Sequence, residues 1–215
     1  QRGNHKLSGA VVFALKKAAS GNHQSEWGRY LLDPDMATLE SYVAGWDERL
    51  LAFDIETTYS INVDEDEAEE DGVSSIIRVS FAIREGEGVS VPWVEPYITF
   101  CRRLIGRAQR TIFWNQAFDV PRLRAAGVEF KGVICDAMWM WHFLQSDLPK
   151  SLGFVAPFYT NLPPWKHLSD SEPAFYSAVD ADATFRLYAG IKGDLEAQGR
   201  WGAFERHCTR TLPLL

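Results

Sequence analysis

The sequence predicts an α/β domain in which a mixed five-stranded sheet is flanked by helices, and three features predict it. Short runs rich in β-branched and aromatic residues alternate with stretches of helical periodicity, the pattern of strands joined through helices. The first three runs, "RLLAFDIE" (49–56), "SSIIRVSFAI" (74–83) and "GVSVPWV" (88–94), come without a helix between them, and the turn "REGEG" joins the last two, so the sheet starts antiparallel. The next two, "RTIFWN" (110–115) and "GVICDA" (132–137), are each preceded by a helical stretch, so they are expected to run parallel.

The remaining elements follow in order. Residues 1–25 hold a short helical candidate and a polar Gly/Asn/His/Ser stretch that reads as a linker, and "WGRYLL" (27–32) is a further strand candidate. "DPDMATLESYVAGW" (33–46) has an Asp cap, an early Pro and apolar residues at helical spacing. "YITFCRRLIGRA" (97–108), "AFDVPRLRAAG" (117–127) and "MWMWHFLQ" (138–145) read as helices. Residues 151–171 read as irregular. From Glu172 to Gln198 the pattern is one long helix, with Gly190 or Gly193 as the points where it would break.

The 215 residues are 46% hydrophobic, enough for a sizeable core. No stretch approaches the roughly 20 apolar residues of a membrane span. Cys101, Cys135 and Cys208 are widely spaced, with no CxxC or Cys/His cluster, which argues against a thiolate zinc site and suits a reducing, cytoplasmic compartment. The formal charge is −7, but the run "DEDEAEED" (64–71) alone carries seven acids, and the rest of the chain is neutral. Residues 102–131 carry Arg102, Arg103, Arg107, Arg110, Arg122, Arg124 and Lys131 against Asp119 and Glu129, a basic surface candidate as well as a plain solvated face. The acidic run is expected to be a solvated loop, or else an electrostatic gate on ligand entry.

The chemistry starts at "AFDIETTYS" (52–60). In a strand, Asp54 and Glu56 point to the same side, and two carboxylates at the end of an apolar run repel unless a cation neutralises them. Asp119 falls in the first turn of a helix that follows a buried strand, the place where sites gather in open α/β sheets. Tyr176 and Asp180 are spaced i, i+4 on one helical face. Asp182 points away from Asp180 and reads as structural, and Asp136 reads as a helix cap.

These stretches resemble the motifs of the DnaQ-like 3′–5′ exonucleases of the tyrosine (DEDDy) subtype, and their order and spacing are similar to the proofreading domain of family A, DNA polymerase I-like enzymes, including phage members. Asp54 and Glu56 match D-x-E, Asn115 and Asp119 match N-x-x-x-D, and Tyr176 and Asp180 match Y-x-x-x-D; Phe175 stands where the histidine subtype has its His. The resemblance implies a ribonuclease H-like (DnaQ-like) fold and phosphodiester hydrolysis with two Mg²⁺ or Mn²⁺ ions. Asp54 would bridge both ions, Glu56 and Asp180 would hold the first, Asp119 the second, and Tyr176 with Glu56 would orient the attacking water.

A single-stranded DNA 3′ end is the implied partner, with Thr57, Asn115 and Phe118 as candidate contacts. Phe118 reads equally as a base-stacking ring or a core residue. Trp139 and Trp141 read as core, and Trp165 and Lys166 as either DNA contacts or loop anchors. Residues 1–28 are expected to be an extension or the tail of an upstream domain, 29–199 the exonuclease domain, and 200–215 the start of a connection to a covalently linked polymerase domain. RNase D-like or Werner-type exonucleases, and a catalytically silent DNA-binding module, are the alternatives.

Overall fold

The computed structural model describes residues 25–58 and 75–210, together with Leu15, Lys17 and Ala19 of a helical segment ahead of them. The linker ahead of residue 25 and the acidic run 64–71 lie outside the described residues. Six strands form the sheet: β1 (Arg29–Leu32), β2 (Leu50–Thr57), β3 (Ile76–Ala82), β4 (Glu87–Pro92), β5 (Arg110–Phe113) and β6 (Val133–Asp136). Their spatial order is β1-β4-β3-β2-β5-β6. The pairs β2–β3 and β3–β4 are antiparallel, and β2–β5 and β5–β6 are parallel, as the spacing of strands and helices predicts.

The expected five strands become six because β1 adds to the edge, parallel to β4. It is the strand candidate read at 27–32, and distant contacts hold it in place. Tyr30 on β1 donates from Oη to Asp182 at 2.9 Å, and the Gly86 amide of the β3–β4 turn donates to the same carboxylate at 2.8 Å.

The helices are α1 (Met36–Val43), α2 (Tyr97–Arg107), α3 (Gln116–Ala125), α4 (Ala137–Leu144), α5 (Leu152–Tyr159), α6 (Pro173–Ala197) and α7 (Trp201–Arg210). Helix α5 lies in the stretch read as irregular. Gly153 and Pro157 look like breakers there, but the apolar "LGFVAPFY" buries Leu152, Val155 and Ala156 in the core, and packing overrides propensity. Helix α6 runs unbroken through Gly190 and Gly193. Among the described residues, no helix is long and apolar enough to cross a membrane.

Two cores lie on the two faces of the sheet. On one, Phe53, Ile55, Phe81 and Phe113 pack against Leu39 of α1, Phe100 and Leu104 of α2, and Val120 and Leu123 of α3. On the other, Ile112 and Cys135 pack against α4, α5, α6 and α7 through Met140, Trp141, Val155, Val179, Leu187 and Phe204. Alternation along β2 sends Phe53 and Ile55 to the first face, so Ala52, Asp54 and Glu56 face α6. Small residues let that helix come close: Ala52 and Ala82 of the sheet meet Ala181. A Cβ on Gly88 of β4 would stand 2.4 Å from the Ala178 carbonyl oxygen, so only glycine fits under the helix there.

Asp182, fully buried in α6, shows how this interior tolerates charge. Arg186 donates to it from Nε at 2.9 Å and from Nη2 at 3.0 Å, beside Tyr30 and Gly86. Every oxygen is satisfied, and the residue holds the edge strand to the central helix, the structural role read from its direction on α6. Replacing Arg186 with Met leaves a buried carboxylate without its cation. A cost of about 3 kcal/mol is expected, which corresponds to a Tm lower by roughly 6–12 °C for a chain of this size. Calorimetry of Arg186→Met checks this, and an unchanged Tm would show that the pair is not holding β1 to α6.

Candidate functional site

Strand β2 delivers the first two acids. Asp54 and Glu56 stand on the face toward α6, and the register against β3 shifts between Glu56 and Thr57, so regular pairing ends where the acids stand. Glu56 lies opposite Arg78, but that guanidinium is turned to Asp33 at 2.7 Å. Helix α6 brings the third acid. Carboxylate oxygens of Asp54, Glu56 and Asp180 lie within 4.8 Å of one another. Asp54 Oδ2 is sealed from solvent and has no hydrogen-bond partner among the described residues.

Asp119 arrives from the opposite side of β2. The chain leaves β5 through Asn115, whose φ of 71° and ψ of 61° are left-handed, a conformation asparagine tolerates better than most residues. Asp136 secures that turn from the end of the parallel strand β6. It accepts the Gln116 amide at 2.9 Å and the Asn115 amide at 3.2 Å, while capping α4 through the Met138 and Trp139 amides. Asp136 is therefore more than the helix cap its position suggests. Asp119, one turn into α3, accepts the Ile55 amide at 3.2 Å. The residue between Asp54 and Glu56 thus hydrogen-bonds the fourth acid directly.

Helix α6 also carries Tyr176, one turn before Asp180. A 3₁₀ turn, Lys166–Leu168, approaches this pair, and Lys166 Nζ donates to Tyr176 Oη and to Asp180 Oδ2, both at 2.9 Å. Trp165 Nε1 donates to the other oxygen, Asp180 Oδ1. Trp165 and Lys166 thus anchor their loop on Asp180, one of the two roles expected of them, and the one signal for this in the sequence is an aromatic–basic pair shortly ahead of the last motif.

Burial dominates the electrostatics. It holds the Asp54 carboxyl well above the usual carboxylate range, and Glu56, Asp119 and Asp180 push it the same way against Lys166. The Asp119 carboxyl is raised by burial too, against the Ile55 amide. Burial takes Asp136 up to about 6 in spite of the four amides it accepts. Burial and Asp180 raise the Tyr176 phenol, so it stays a neutral hydroxyl.

The other candidates are spread around this cluster. Thr57 is fully buried and ends β2. Asn115 is half-buried at the left-handed turn. Phe118 is half-buried against the core, with the Arg122 guanidinium 3.8 Å from its ring centroid. Trp141 is fully buried, and Trp139 packs against the same core half-exposed. Part of the basic stretch is tied to the protein itself. Arg103, Arg107 and Arg110 pair with Glu40, Glu48 and Glu205, Arg102 donates to the Ala126 carbonyl, and Arg122 to the Phe118 carbonyl.

No family model matches the chain, and no curated protein matches it. Solved structures do. NrnC of Brucella melitensis bound to pGG is 15% identical with a TM-score of 0.58, over 86% of this chain and 89% of that one. The catalytic core of RRP6 from Trypanosoma brucei (mutant C496S) is 16% identical with a TM-score of 0.58, over 83% and 50%. The POL domain of Pol1 from M. smegmatis, in complex with DNA primer-template and dNTP, is 12% identical with a TM-score of 0.59, over 82% of this chain and 29% of that one. The architecture is the ribonuclease H-like fold, with six strands where five were expected.

A carboxyl whose pKa is raised by folding stabilises the fold below its unfolded pKa, near 4, and that stability is lost as pH rises through the folded value. Asp54, Asp119 and Asp136 all shift in this direction. In chelator, the protein is therefore expected to melt lower at pH 8 than at pH 5, and Asp54→Asn to flatten that slope. Melting curves across this range for both proteins are the check, and equal slopes would mean that Asp54 is not the strained acid.

Proposed function

We propose that the chain is a 3′–5′ exonuclease of the tyrosine type, hydrolysing single-stranded DNA 3′ ends to nucleoside monophosphates as the proofreading part of a family A DNA polymerase. The observation that carries the reading is the convergence of Asp54, Glu56 and Asp180 within 4.8 Å around a buried carboxylate oxygen that no donor among the described residues reaches. Three hard oxygen donors with one of them orphaned fit a divalent cation such as Mg²⁺ or Mn²⁺. Asp54, Glu56 and Asp180 would hold one ion, and Asp119, across the Ile55 amide, would contribute to a second. When bound, such ions lower the pKa of a water and neutralise charge developing on phosphate oxygens.

The protein's own groups have separate tasks. Tyr176 stays protonated and can donate its hydroxyl hydrogen to a water or phosphate oxygen at the mouth of the cluster. Phe118 and Asn115 flank the start of α3 and are the candidate contacts for the terminal nucleotide. An NrnC structure with bound Mg²⁺, 16% identical with a TM-score of 0.56 over 86% of this chain and 89% of that one, supports metal use in this fold. The DNA primer-template held by the Pol1 structure supports the choice of DNA. A second reading, action on RNA or very short oligonucleotides, is favoured by the near full-length match to a protein bound to pGG.

The test is release of mononucleotides from 3′-labelled DNA, RNA and dinucleotide substrates in Mn²⁺. Asp54→Ala with Glu56→Ala should lower the rate at least about 1000-fold while the protein stays folded, because two mutually repelling acids are removed. A double variant as fast as wild type would refute the site. A strong preference for RNA or the dinucleotide would favour the second reading over proofreading.

Tyr176→Phe keeps the ring and removes the hydroxyl. A kcat loss of about 10- to 1000-fold is expected for one positioned donor, with KM nearly unchanged. Raised KM at constant kcat would assign Tyr176 to binding.

A further inference from the structure

The sheet and α6 bring carboxylates together, and one cation among the described residues stands directly on the pair Tyr176 and Asp180. Lys166 Nζ lies 2.9 Å from both Tyr176 Oη and Asp180 Oδ2, and 4.8 Å from the centroid of the Tyr176 ring. Its side chain is 31% exposed, against 6% for Asp180, so it reaches in from the surface to a buried acid. The stem has room because residue 153 of α5 is glycine: a Cβ there would stand 3.1 Å from Lys166 Cγ. With Trp165 Nε1 on Oδ1, the adjacent residues Trp165 and Lys166 engage both oxygens of Asp180.

An ammonium has donors only, so at Tyr176 Oη it must be met by a lone pair. The phenol's own hydrogen is then turned away from Lys166 and is left to donate elsewhere. We propose that Lys166 is a positioning residue of the candidate site: its ammonium holds the Tyr176 hydroxyl as a donor and serves as the resident counter-charge of the acidic cluster. The counter-charge role also follows from simple electrostatics. A positive group beside several close carboxylates relieves their repulsion and competes with any added cation for the same oxygens. The positioning role rests on the exonuclease reading, whereas the counter-charge role does not.

These roles separate experimentally in the intact chain. Calorimetric titration with Mn²⁺ in the absence of nucleic acid compares wild type with Lys166→Met and Lys166→Arg. Removing the charge should tighten Mn²⁺ binding roughly 3- to 30-fold, and Lys166→Arg should return it toward wild type. Hydrolysis should move the opposite way, with kcat of Lys166→Met down about 10- to 100-fold and KM within about twofold. Because the effect acts through Tyr176, Lys166→Met combined with Tyr176→Phe should be no more than about threefold slower than Tyr176→Phe alone.

Mn²⁺ affinity that is unchanged or weaker in folded Lys166→Met would overturn the counter-charge role. Losses that multiply in the double variant would overturn the positioning role. Should Lys166→Met not fold, Lys166→Gln, which keeps a polar head on the same turn, takes its place in both measurements. A wild type that degrades no 3′ end sinks the exonuclease reading alone, and the Mn²⁺ comparison still decides on Lys166.

Discussion

Helix α6 can lie directly on the middle of the sheet because the residues between them are small. Ala52, Ala82 and Ala181 meet there, and Gly88 leaves space for the Ala178 carbonyl. Larger side chains at these positions would lift the helix and separate Asp180 from the end of β2. Close packing thus sets the distance between charges. It also buries Ser177 through Thr184 without a break, so the polar residues in that stretch need partners within the protein or a ligand.

Two carboxylates on this helix meet that need differently. Asp182 has Arg186, Tyr30 and the Gly86 amide, and is satisfied by the protein alone. Asp180 has Trp165 and Lys166, but shares its surroundings with Asp54 and Glu56. Asp54 keeps a buried oxygen without a donor among the described residues. A folded chain retains such unfavourable electrostatics where they serve a ligand, and the contrast within one helix separates the structural acid from the candidate functional ones.

The turns at the carboxyl ends of β5 and β6 support each other. Asp136 closes β6, caps α4 and receives the amides of the turn after β5, which aims Asp119 at the Ile55 amide. Parallel neighbours make this possible, since both strands end at the same side of the sheet. The basic stretch 102–131 shows the opposite case. Counted along the chain it suggests a surface for nucleic acid, but in space most of its arginines are taken by glutamates from other elements or by carbonyl groups. Exposed pairs of this kind add little stability, but they leave less free charge for a ligand.

The sequence by itself determined whatever follows from periodicity. Asp54 and Glu56 share a face because strand side chains alternate, Tyr176 and Asp180 because a helix repeats every 3.6 residues, and β2 to β6 because their apolar runs are bounded by turns. These relations are local, so one chain suffices to read them. Only the tertiary structure decided what meets across elements: β1 pinned by Asp182, α5 folded despite Gly153 and Pro157, Asp136 reaching the turn after β5, and Lys166 set against Tyr176 and Asp180. Such pairings are separated along the chain by 10 residues in the case of Lys166 and Tyr176 and by 152 in the case of Tyr30 and Asp182. They exist only once packing has brought the backbone segments together, and no periodic signal marks them beforehand.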